Sequence, residues 1–149
     1  MSTIDDVADA VKDSLNGHGF TIPFTATRAY VPVFELKDMG TIHVTVVPRG
    51  VELTPYSRTL AQSDVQIDIG IMRKLSAAPA GDVAEIDELM GLVEEIVTFI
   101  RTTSRYGVPP LLDAAWIKTA NLPIYSPEHL LDIRQFTSVL TVTLRVVTI

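Results

Sequence analysis

Three histidines, His18, His43 and His129, and no cysteine at all are what metal or nucleophilic chemistry would have to draw on in this chain. No two histidines stand at the i, i+4 spacing that sets paired imidazoles on one helical face, and without thiolates a structural zinc lacks its usual ligands. A serine triad would need Ser57 or Ser104, yet neither lies in a G-x-S-x-G turn, and the phosphate cradles G-x-x-x-x-G-K and G-x-G-x-x-G are missing. His43 falls on the polar side of an alternating run between Thr41 and Thr45. His18 sits in the helix-ending turn Asn16-Gly17-His18-Gly19, and His129 in a capping turn near Asp132. Arg49, Arg58, Arg73, Lys74, Arg101 and Arg105 are cations spread over turns and element ends. The residues ask for no catalytic group, no metal and no cofactor, so the chain reads as a non-enzyme.

The elements that would position these groups are β-rich and apolar. The hydrophobic fraction is 47% and the formal charge -6, with a mean hydropathy of +0.29. That charge argues against sequence-independent affinity for nucleic acid. It is concentrated in two segments, one around Asp5, Asp6, Asp9 and Asp13, the other around Asp82, Glu85, Asp87, Glu88, Glu94 and Glu95. No apolar run approaches the roughly 20 residues a membrane-crossing helix needs, and Ser2-Thr3-Ile4-Asp5-Asp6 does not resemble a secretion signal. The expected cover for the excess apolar surface is another protein subunit.

A first helix is expected from Thr3 to about Asn16, its stripe formed by Ile4, Val7, Ala8, Val11 and Leu15 and its stop by Gly17. Strands follow at Thr25 to Val31, at Thr41 to Pro48 with a turn or bulge at Pro48-Arg49-Gly50 leading into Val51 to Thr54, and at Asp64 to Lys74. Pro55 to Ser63 is expected as a surface loop. A long helix should run from Asp82 to about Ser104, followed by a weaker strand around Trp116, a helical turn opened by Ser126-Pro127-Glu128, and a final strand from Phe136 to Ile149. Antiparallel strands with helices set apart on one face make a single α+β domain over residues 1–149, with a sheet of about five strands. Trp116, Tyr30, Tyr56, Tyr106 and Tyr125 suit either the core or a partly wet interface.

The acidic helix IDDVADAVKDSL, the strands TIHVTVVPRGVEL and SDVQIDIGIMRKL, the helix EIDELMGLVEEIVTFIR and the closing SPEHLLDIRQFTSVLTVTLRVV together resemble the tail terminator proteins of long-tailed bacteriophages and prophages. The resemblance spans nearly the whole chain and rests on pattern, without a diagnostic motif. It implies a structural virion protein of the head-tail junction, made in the host cytoplasm, that forms a ring, usually hexameric, on the tail tube and meets the head connector or stopper protein. DNA would be passing cargo only, and no membrane would be involved. The final strand, with Val139, Leu140, Val142, Leu144, Val146 and Ile149, is expected at the subunit interface. The loops Phe34 to Gly40 and Thr54 to Ser63, the latter with Tyr56 and Arg58, are expected to touch tube or connector. Two alternatives stand beside this: a head-completion or stopper protein, and a small α+β enzyme or ligand-binding domain with a pocket between the long helix and the sheet.

Overall fold

The computed structural model describes residues 3–30, 42–75, 82–106, 114–121, 124–128 and 135–148. Helix α1 covers Thr3–Gly17, and strand β1 covers Ala26–Arg28. Strand β2 covers His43–Pro55, β3 covers Ala61–Lys74, and helix α2 covers Asp82–Thr103. Strands β4 (Arg105–Tyr106), β5 (Ala114–Ala120) and β6 (Gln135–Thr148) follow. The sheet order is β1-β2-β3-β6-β5-β4. The pairing β1·β2 is parallel and the others antiparallel, so the protein is α+β with a mixed sheet. Among the described residues the sheet has six strands where the sequence suggested about five, because the two-residue β4 is too short to carry a period.

Period-two alternation chooses the buried face. Val65, Ile67, Ile69 and Ile71 of β3 stand opposite Leu144, Val142, Leu140 and Ser138 of β6, and the seven apolar members of that set are all fully buried. The helices supply the other half of the same core, with Val7, Ala8, Val11 and Leu15 from α1 and Leu89, Leu92, Val93, Ile96 and Ile100 from α2. Each fully buried aliphatic side chain is worth about 1.5 to 3 kcal/mol over leaving it in water. The long helix thus covers the dry face of the sheet, as its spacing predicts.

Two local devices hold the periphery. Asn16 acts as a strand surrogate: its Nδ2 donates to the Ala26 carbonyl at 3.0 Å, and its Oδ1 accepts the Ala26 amide at 2.7 Å. The end of α1 is thereby tied to β1, where the Arg28 guanidinium meets Asp9 at 2.8 Å and Asp5 at 3.3 Å. At the end of α2, Ser104 adopts φ 56°, a left-handed conformation that costs a non-glycine residue about 1 kcal/mol. Its carbonyl accepts the Trp116 amide at 2.7 Å. The residue that turns the helix into β4 is therefore Ser104.

Candidate subunit interface

Four of the six residues expected at a subunit interface on β6 belong to the core instead. Leu140, Val142, Leu144 and Val146 are each 0% exposed, and β6 is not an edge strand, since β3 flanks it on one side and β5 on the other. Alternation on β-branched residues reports that one face is dry but not what dries it, and here the chain's own helices do so. Val139, on the opposite face, pairs with Gly70 and is half-buried. Ile149 lies outside the described residues, as do the loop Phe34 to Gly40 and His129.

Exposed apolar surface on the sheet appears elsewhere, at the far end of β2. Pro48 pairs with Ile67 and Gly50 with Gln66, so Arg49 is the extra residue of a bulge. Its Nη1 donates to Thr141 Oγ1 at 3.2 Å and lies 3.6 Å from Asp68 Oδ1, while the Thr141 hydroxyl donates to Asp68 at 2.9 Å. The bulge is stitched to β3 and β6 across the sheet face turned away from the helices. Beyond it Val51 registers with Val65 and Leu53 with Ser63, residues that are 0% and 7% exposed, yet Val51 is 49% exposed and Leu53 66%. The face that is core on β3 continues onto β2 and is left in water. Among the described residues, no strand pairs with β2 past Val46 on that side, because β1 reaches only Val44 to Val46.

The turn joining β2 to β3 is tight. Tyr56 and Ser57 amides both donate to the Leu60 carbonyl, at 3.0 and 3.1 Å, and the Leu60 amide donates to Ser57 Oγ at 3.2 Å. Tyr56 is 61% exposed and Arg58 is exposed beside it. The expected contact residues therefore occupy the tip of a long hairpin, one strand of which carries the bare apolar stripe. The expected loop from Pro55 to Ser63 shrinks to this turn, as β3 begins at Ala61.

On the face away from the helices, Glu52, Asp64, Gln66, Lys118, Thr143 and Arg145 line a polar groove of about 460 Å³. Arg145 grips Asp64 with two bonds, Nε to Oδ1 at 2.8 Å and Nη2 to Oδ2 at 3.2 Å. Those bonds hold the Asp64 carboxyl below its ordinary range and raise the Arg145 guanidinium further. The Thr143 hydroxyl, in a side chain only 5% exposed, has no hydrogen-bond partner. Between the long helix and the sheet, Leu89, Leu92, Val93, Ile96 and Ile100 are packed into the core, and a cavity of about 690 Å³ opens at one end, with Glu88 of the helix, Ile42 beside β2 and Arg73 of β3 among its lining residues.

The other aromatic candidates divide. Trp116 is partly buried against the core, its Nε1 donating to Thr119 Oγ1 at 2.8 Å, and Tyr106 is core. Tyr30 is 65% exposed under the Arg28 guanidinium. Sequence reasoning missed Val51 and Leu53 because their alternation reads like any half-buried strand; that the helices stop short of them is a property of the packed structure. No protein-family model and no curated protein matches the chain. Among the described residues, no helix is long and apolar enough to cross a membrane.

Proposed function

We propose that the chain is a structural protein that assembles with copies of itself into a ring, in the manner of the tail terminators it resembles, capping a tail tube and presenting a surface to the head connector. The observation that supports this is the Val51 and Leu53 stripe, an exposed continuation of the core face at the end of a strand with an open side. Two apolar residues on one face of an open strand are a natural seat for another surface. The stripe lies on the β1-β2 side of the sheet order, away from β4 and β5, and in a ring a copy would meet it with a different patch. Repetition of such a head-to-tail contact closes a ring when the rotation per copy divides a full turn. On this reading Tyr56 and Arg58, at the hairpin tip, contact the neighbouring copy or the tube beneath it, and DNA passes through without a specific site.

The test is the solution mass of the purified protein over a range of concentrations, followed by electron microscopy of the protein mixed with tail tubes. Rings seated on tube ends support the proposal. Rings that bind an isolated connector but ignore tubes would favour a stopper role. A monomer at all concentrations, indifferent to both, would reject the assembly reading.

A further inference from the structure

The cavity that opens beside Glu88 is the first of three along one flank of α2, of about 690, 210 and 440 Å³. Neighbouring cavities share Ile22 and Glu88, then Gly91 and Glu95, so together they make one furrow between the helix and the connector that follows α1. Ile22, Phe24, Leu92 and Phe99 supply its apolar walls. Gly91 lies midway. A glycine inside a helix costs stability relative to alanine, and here nothing in the chain comes within 4 Å of where its Cβ would be, so no internal contact calls for it. Glu88 and Glu94 stand three residues to either side on the same helical face, and both are exposed with no ion-pair partner among the described residues. The acids of α1 differ, since Asp5, Asp9 and Asp13 are matched by Arg28 and Lys12.

Taking the chain to assemble as proposed above, we infer that this furrow is the patch that receives the hairpin tip of the neighbouring copy. The 13 residues of β2, from His43 to Pro55, span roughly 40 Å at about 3.3 Å each. The furrow borders the beginning of that strand, with Ile42 among its lining residues, and the tip lies at the strand's end. A copy therefore cannot fill its own furrow with its own tip, and the contact joins two copies head to tail, as a ring requires. The chemistry of the two patches matches. Arg58 is exposed and, among the described residues, has no ion pair; on the neighbour it sits between Glu88 and Glu94. Tyr56, 61% exposed, lays its ring on Ile22 and Phe99 over the space left at Gly91. Tyrosine and arginine are among the residue types that carry most of the energy at protein interfaces.

Sedimentation velocity of the full chain across a concentration series, with thermal melts of the dilute protein, tests the docking. Arg58→Glu, and Glu88→Lys together with Glu94→Lys, should each raise the concentration needed for assembly at least tenfold with the melting temperature unchanged. The chain carrying all three changes should regain most of that loss, because the opposite charges face each other again. Gly91→Gln should raise the melting temperature, since glutamine is the better helix former and the space is open, yet weaken assembly at least tenfold because its side chain occupies the furrow. Assembly unchanged by Arg58→Glu or by the paired change at Glu88 and Glu94, no recovery in the triple variant, or assembly of Gly91→Gln at the wild-type concentration would each overturn the assignment. If Leu53→Ala weakens assembly in the same series while these variants do not, the ring stands and the furrow is not its second patch. A wild-type chain that stays monomeric at every concentration removes ring and furrow together.

Discussion

Leu53→Ala separates assembly from folding. Leu53 is 66% exposed in the isolated chain. Fully burying a leucine side chain is worth about 2 kcal/mol, so roughly 1.3 kcal/mol remains to be gained when a neighbour covers it. Because 1.4 kcal/mol is a factor of ten in affinity, the substitution should weaken each intersubunit contact by about five- to tenfold. It should barely move the melting temperature of the dissociated chain. Leu140→Ala is the control: its side chain is 0% exposed, and truncation there should destabilise the fold by about 3 kcal/mol through lost burial and the cavity left behind. Sedimentation velocity across a concentration series reads the first effect and thermal melts of the dilute protein read the second. Melts lowered as much by Leu53→Ala as by Leu140→Ala would mean that Leu53 is already covered within the chain. An unchanged mass distribution would mean that it covers nothing on a neighbour. Either result removes the main support for ring assembly.

Ser104→Gly should stabilise the chain by about 1 kcal/mol, because glycine adopts the left-handed conformation at the end of α2 without steric penalty, and a chemical denaturation midpoint checks it. Thr143→Val should be neutral or stabilising by denaturation, since it removes a buried hydroxyl without a partner; a clear loss would show that the hydroxyl is used. Burial pushes the Tyr106 phenol up to about 12 from an ordinary 10.0. A raised acid favours the folded state below its unfolded value, so stability should fall as pH rises from 10 to about 12, and Tyr106→Phe should remove that fall and the late phenolate absorbance step. Asp64 shifts the other way, held ionised first by the hydrogen bonds from Arg145. Its contribution is present above the ordinary aspartate range and lost as pH drops through the lowered value, so Arg145→Met should flatten the acid limb of stability. At this partly exposed pair the effect should stay under about 1 kcal/mol.

The elements were legible where a period was long. The stripe of α1, the alternation of β3, and the long spacing of α2 were each enough to place an element to within a few residues, since each buries one face against the same core. The bulge at Pro48-Arg49-Gly50 was legible as a possibility, but it keeps β2 continuous to Pro55 instead of ending it, because Arg49 is anchored to Thr141 and Asp68. Leu140 and Val142 are core where the sequence suggested an interface, for a physical reason: their composition suits either place, and only the neighbours of the strand decide between them. His43, on the polar side of its strand between threonines, has a buried Nε2 for a similar reason, in that alternation assigns a side chain to a face but not to the wet or covered part of it. The bare end of β2 depends on where the helices stop, a length comparison that no local window contains.

The ladder of β3 with β6 runs unbroken from Ala61 against Thr148 to Lys74 against Gln135, which puts the last strand in chain order at the centre of the sheet. During synthesis β3 and β5 must therefore wait, each with an open side, until β6 leaves the ribosome and closes the gap between them. A nascent chain lacking β6 presents two sticky edges instead of a half-finished domain. Deleting β6 should yield aggregates, and competence to join other copies should arrive only with that strand.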